Sequence, residues 1–247
     1  MSNYQAISLI YDRHIGNAYY KRRCRFIVDK FKEFGIKKGD IVLDAGCGTG
    51  VLTSMLADHG YDMIGVDNSE DMLSAAMSHS NPNVSYICQS LENLDLFGTV
   101  KAVICTQDVL NHIDSTSKLE KIFDKFTLFL ETGGVIVFDV NTPYKHIHVL
   151  GDNSFVYDTD GNLCVWQNRL FPKQNKTEIT VDVFLPEHGS LYNRSTDVFF
   201  EYYYPLETWN GFCEKRGLKI EYVLDGEQYT EPNAEAQRIC YVVRKLK

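Results

Sequence analysis

Val42-Leu43-Asp44-Ala45-Gly46-Cys47-Gly48-Thr49-Gly50 runs an apolar strand into a turn with glycine at every second position, and a helical pattern follows. Glycine adopts backbone dihedrals closed to other residues and lets main chain approach a ligand closely. At a strand's carboxyl end, such a turn is where an open α/β sheet binds its ligand. The spacing disfavours a dinucleotide fingerprint, which needs glycine at 51, where Val51 stands. Seventeen residues beyond Gly50, the run Gly65-Val66-Asp67-Asn68-Ser69 ends the next strand on an acidic side chain. A carboxylate there can accept from both hydroxyls of a ribose. The alternative is a charge that complements the dipole of the helix from Ser69.

From residue 40, short β-branched runs alternate with helical stretches, the rhythm of βαβ units in a parallel sheet. Strands are predicted at Ile41-Ala45, Met63-Asp67, Val84-Gln89, Ala102-Thr106 and Val135-Val140. Helices are predicted over Gly50 to His59, Ser69 to Ser78 and Lys118 to Leu130. After Pro143 the pattern changes: aromatic and β-branched residues crowd 154–204, broken by turn signals at Asp160-Gly161, Lys173-Gln174-Asn175 and His188-Gly189. That predicts an antiparallel meander in which Tyr202 and Tyr204 share a face. A helix at Leu206 to Arg216, stopped by Gly217, and a hairpin of Leu218-Leu224 with Arg238-Arg244 complete the chain.

The expected architecture is therefore α/β: a Rossmann-like, seven-stranded, mostly parallel sheet with helices on both faces, plus an antiparallel β insertion. Residues 1–35 read as two helices forming a lid, with Lys21, Arg22, Arg23 and Arg25 on a solvated face. Residues 36–150 and 205–247 form the main domain, and 151–204 the insertion.

A formal charge of −8 argues against a partner held through phosphates, which requires clustered Lys and Arg. Seven scattered cysteines with no CxxC pair show neither a disulfide framework nor a zinc site, and fit a reducing cytoplasm. The opening MSNYQAISLIYDRH lacks a signal-peptide pattern, and no apolar run approaches bilayer length. His146 and His148 lie two apart, a spacing that does not share a helix face, so no metal is expected.

VLDAGCGTG with GVDNSEDMLSAA after it resembles the first two motifs of class I S-adenosylmethionine-dependent methyltransferases. Tyr11-Asp12, the run Gln107-Asp108-Val109-Leu110-Asn111-His112, and Gly133 to Asn141 are similar to the small-molecule branch of that family, which includes amino-sugar and glycine N-methyltransferases. The resemblance implies S-adenosyl-L-methionine as cofactor and a small-molecule methyl acceptor. It implies that Asp44 and, in the turn after its strand, Gly46, Cys47, Gly48 and Gly50 bind the cofactor, the glycines lying along the methionine portion, with Asp67 on the ribose. Asn68 and Met72 would border the adenine, and Ser90 and Leu91 meet its polar edge. Relatives commonly have Asp where Ser90 stands, so that contact would be weaker here. Thr106 and Gln107 would lie nearest the sulfonium, while Tyr11, Tyr20 and Arg23 would close over the cofactor.

The same resemblance makes His112 a candidate base facing the acceptor, with Tyr11 orienting it. The bland alternative for His112 is a packing histidine before the helix at Ser115. The aromatic insertion would roof the acceptor pocket, or else form a second core or a homodimer surface. Methylation of RNA or protein, and a catalytically silent nucleoside-binding protein, stay open as alternatives. A nucleobase amine is disfavoured, because Thr106-Gln107-Asp108-Val109 stands where an Asn-Pro-Pro-Tyr type motif would be.

Overall fold

The β-branched runs fold as β1 (Ile41–Ala45), β2 (Asp62–Asp67), β3 (Val84–Cys88), β4 (Val100–Cys105) and β5 (Leu130–Asn141). The computed structural model that shows this describes residues 16–78, 81–159, 161–189 and 191–246. The aromatic segment supplies β6 (Ser154–Thr159), β7 (Asn162–Phe171), β8 (Lys176–Pro186) and β9 (Tyr192–Tyr202). The last two strands are β10 (Leu218–Asp225) and β11 (Arg238–Lys245). Five α-helices accompany them among the described residues: α1 (Asn17–Glu33), α2 (Val51–Asp58), α3 (Glu70–Ser78), α4 (Thr116–Phe129) and α5 (Leu206–Lys215).

The main sheet has the order β10-β11-β5-β4-β1-β2-β3. Its β1 to β5 neighbours pair in parallel, while β11 runs antiparallel to both β5 and β10. This is a Rossmann-like α/β sheet with an antiparallel four-stranded sheet, β6-β7-β8-β9, added to it. Alternation along the central strands feeds two cores. Leu43, Val103, Cys105, Ile136 and Phe138 face one side, under α4 and α5. Val42, Ala102, Ile104, Val135 and Val137 face the other, under α1 and α2. The chain moves outward from β1 through β2 to β3, then crosses back to place β4 on β1's other flank, which opens a crevice at their carboxyl ends.

Local residues cap the helices. Ser69 Oγ accepts the Met72 N–H at 3.3 Å, so the serine caps α3 alone. Ser115 caps α4 by accepting from Lys118 N–H at 3.4 Å, and Gly217 takes φ 63° beyond α5. Two readings are corrected. In the helix that does lie within the described residues, Lys21, Arg22 and Arg25 are exposed, but Arg23 is buried. β9 ends at Tyr202, so its alternation does not reach Tyr204, whose hydroxyl instead donates to the Ile113 carbonyl at 2.7 Å. The first of the two expected N-terminal helices lies outside the described residues.

Candidate functional site

The glycine turn wraps onto the end of β2. The N–H groups of Gly46 and Cys47 both donate to the Val66 carbonyl, at 2.7 and 3.0 Å. Asp67 then accepts the Gly48 N–H on Oδ2 and the Ser69 N–H on Oδ1, both at 2.9 Å. Burial pushes the Asp67 carboxyl up, against the opposing pull of these N–H donors. Gly46 has φ 80°, and a Cβ on it would run into the Val109 methyl groups, whereas a Cβ on Gly48 would meet no atom within 4 Å. The turn is thus packed from behind and open in front. Asp44 and Gly50 belong to that rear support and do not line the cavity. Asp44 is buried, accepts the Thr53 hydroxyl at 2.6 Å, and is pushed up by burial to about 7.

At the exit of β4, Gln107 and Asp108 adopt φ of 64° and 67°. Two consecutive left-handed residues that are not glycine cost roughly 1–3 kcal/mol each unless their surroundings hold them. A buried ionic cluster holds them here. Asp108 pairs with Arg238, whose guanidinium also bonds Asp139 at 2.7 Å. Asp139 accepts the Asp108 N–H at 3.3 Å and pairs with Arg23, which in turn bonds the Tyr19 hydroxyl. Burial alone would raise the Asp139 carboxyl, but the guanidiniums of Arg23 and Arg238 more than reverse that and hold it below the carboxylate range. Arg23 therefore faces this cluster rather than the cavity, because a buried guanidinium requires a carboxylate partner. The turn leaves Gln107 on the cavity wall with Nε2 buried and unpartnered among the described residues.

His112 ends the short 3₁₀ turn Val109–His112 and also reaches the cavity. Its ring centroid lies 5.5 Å from that of Phe199 on β9. The added sheet closes this end with Trp166 of β7 and Phe199 and Glu201 of β9. Trp166 meets Phe199 edge-on at 5.9 Å and donates its ring N–H to Asn168 at 2.9 Å. Asn111 fastens the sheet down by donating to the Tyr202 carbonyl at 2.8 Å while accepting the Asn141 N–H at 2.8 Å.

Most expected residues converge on one cavity. Tyr20 lines it from α1, Gly46, Cys47 and Gly48 from the turn, and Asp67, Asn68 and Met72 from β2 and α3. Ser90 and Leu91 follow β3, and Thr106 and Gln107 follow β4. Tyr11 lies outside the described residues. Sequence reasoning missed Asp108, Glu92 and Glu201 as wall residues, and reached Trp166 and Phe199 only as members of the aromatic insertion expected to roof the pocket. The signal for Asp108 was adjacency to Gln107. For Glu201 it was the two-residue spacing from Phe199 on a strand, readable only once the inward face was known.

Residues 42–134 match the family model described as "Methyltransferase domain". Along its length the chain is similar to the protein YqeM of Bacillus subtilis strain 168, at 26% identity over 99% of this chain and 98% of that one. A crystal structure of an S-adenosylmethionine-dependent methyltransferase from Clostridium acetobutylicum superimposes with a TM-score of 0.86 and 30% identity, covering 98% of each chain. The chain belongs to the S-adenosylmethionine-dependent methyltransferases. The same fold, at 17% identity and a TM-score of 0.74 over 92% of this methyltransferase and 91% of its counterpart, occurs in CalS10, an amino pentose methyltransferase from Micromonospora echinaspora.

The cavity fits S-adenosylmethionine. The open front of Gly48 offers backbone at close approach. Asp67 retains lone pairs beyond the two N–H bonds it accepts. The unpartnered Gln107 amide provides a donor at the bend of the methyltransferase's β4 exit. Ser90 accepts from Asn93 Nδ2 at 2.9 Å, so its hydroxyl proton remains available to a ligand.

Proposed function

We propose that the methyltransferase acts on a small-molecule acceptor, an amine or a hydroxyl, by in-line transfer, with His112 as base. One observation carries this reading. The cavity beginning at the glycine turn and Asp67 is roofed by Trp166, Phe199 and Glu201 of the antiparallel sheet, so the acceptor end is a walled pocket rather than an open basic face.

S-adenosylmethionine supplies a methyl group made electrophilic by its sulfonium. The protein's own residues orient and dry the site. Asp67 and the closely approaching backbone of the glycine turn hold one end, while Trp166 and Phe199 exclude water from the other, where dispersal of charge favours reaction. Holding the reactants collinear can be worth on the order of 7 to 11 kcal/mol. His112 takes the proton that an amine or hydroxyl must lose, the imidazole serving as general base. Residues 151–204 act as the acceptor cap in this proposal, and the segment up to residue 35 as the lid.

Asp67 grips the ribose in this reading, and Asn68, Met72, Ser90 and Leu91 surround the adenine. The test is a crystal soak with S-adenosylhomocysteine, followed by a screen of amine and hydroxyl acceptors that reads S-adenosylhomocysteine release. Product from acceptors of this size supports the proposal. Turnover confined to RNA or protein overturns it.

A further inference from the structure

The cavity wall is acidic. Asp67, Glu92, Asp108 and Glu201 reach it and, among the described residues, no lysine or arginine does. Three of these carboxylates are accounted for by their position. Asp67 is bonded to the Gly48 and Ser69 N–H groups, Asp108 is paired with Arg238, and Glu92 follows β3 at the end where Ser90 and Leu91 lie. Glu201 differs. It is 4% exposed, and among the described residues its hydrogen-bond donor is Asn141 Nδ2, which reaches Oε2 at 3.0 Å. His146 Nε2 stands 3.6 Å from the same oxygen, beyond hydrogen-bond reach, and has no hydrogen-bond partner among the described residues. Lys145 lies behind the wall with its ammonium on Asn141 Oδ1 at 3.0 Å, close enough to interact electrostatically with Glu201 but bonded to the amide instead. A buried carboxylate with one hydrogen-bond donor and only an indirect cation gains from a cation that binds it directly.

Glu201 lies two residues beyond Phe199 on the same face of β9, so it stands about 7 Å further along the strand. His112 packs against Phe199 at 5.5 Å, and Trp166 meets that ring edge-on. Phe199 thus lies between Trp166, which is level with Asp197 in the register, and Glu201, one step further along β9, with His112 packed against the same ring. An aromatic face next to a carboxylate suits an organic cation.

Building on the small-molecule reading above, we propose that the acceptor is a small organic cation. Its charged group docks on Glu201, and a separate atom beside His112 receives the methyl group. Anionic acceptors, such as carboxylates and phosphate esters, are rejected by the same wall.

The test uses the full chain saturated with S-adenosylhomocysteine and three ring-matched probes: cyclohexylamine, cyclohexanol and cyclohexanecarboxylate. Binding is followed at pH 7 by protein-observed NMR. Cyclohexylamine is expected to bind about tenfold more tightly than cyclohexanol, the order of one charge-assisted contact, and cyclohexanecarboxylate not to bind. In Glu201→Gln, which keeps the shape, the preference for the amine should vanish while S-adenosylhomocysteine affinity holds. Equal binding of the three probes, no binding of the amine, or an amine preference that survives Glu201→Gln overturns the proposal. Failure of the wild-type protein to bind S-adenosylhomocysteine overturns the methyl-transfer reading beneath it as well, so the two failures are distinguishable.

Discussion

Asp67 Oδ2 accepts the N–H of Gly48 at 2.9 Å, tying the end of β2 to the glycine turn that follows β1. The carboxylate that would hold a ribose therefore also shapes the loop beside it. Position and binding are coupled through one side chain. Asp67→Ala should weaken S-adenosylhomocysteine binding by roughly 1.5 to 3 kcal/mol, the worth of lost charge-assisted hydrogen bonds. Calorimetric titration decides the matter, and an unchanged affinity would remove Asp67 from the ribose.

His112 lines the cavity beside Phe199. His112→Ala should leave cofactor affinity intact and slow turnover by about 10² to 10⁴-fold, the usual contribution of a positioned acid or base. Single-turnover rates measured alongside cofactor titrations separate the two effects. Full-speed transfer in the variant would assign His112 to packing.

The Arg23–Asp139–Arg238–Asp108 cluster holds the left-handed pair at 107 and 108 and joins α1 to β5 and β11. Removing one partner of a buried pair costs about 3 to 5 kcal/mol, because it strands the other charge, and Arg238→Met should lower stability by that order in urea unfolding. The pH dependence follows. Burial pushes the Asp108 and Asp139 carboxyls up, but the neighbouring guanidiniums reverse this and hold both below the ordinary range. Carboxylates so depressed contribute stability in full above their unfolded value of about 3.9, and lose it as pH falls through the folded value. Acid unfolding should therefore begin at a higher pH in Arg238→Met than in the wild type, as read by circular dichroism. Coincident acid midpoints would contradict the role given to the cluster.

Asp44 shows the opposite sign. Burial raises its carboxyl to about 7, against the Thr53 hydroxyl that favours the charged form. Between an unfolded value of about 3.9 and the folded one, the native state holds the extra proton, so rising pH removes stability by up to about 1.4 kcal/mol per pH unit. Asp44→Asn should thus match the wild type near pH 4 and gain on it progressively up to neutrality. A stability difference that stays flat with pH would place the carboxyl in the ordinary range.

The features legible in the chain are those whose causes are local. The strand entering Gly46-Cys47-Gly48, the acidic end of β2 and the turn at Lys173-Gln174-Asn175 each depend on a few neighbouring residues, and each formed as expected. Arg23 illustrates the limit. Within α1 its neighbours Lys21, Arg22 and Arg25 are exposed, and nothing in that run distinguishes it, yet Asp139, 116 residues away, draws it inward. The left-handed turn at Gln107 and Asp108 was likewise hidden, because Arg238, far along the chain, holds it.

Strand and helix periods, glycine freedom and the strand-end carboxylate are properties of short segments, and they were enough to determine the α/β sheet, its cofactor crevice and the family. Which residues complete the acceptor end depended on how the antiparallel sheet docks. A strand's alternation yields two equivalent faces, and only packing against Met72 and anchoring through Asn111 turn Trp166, Phe199 and Glu201 inward. Charges behave in the same way: a buried ion is tolerable only beside its partner, and that partner is supplied by the fold.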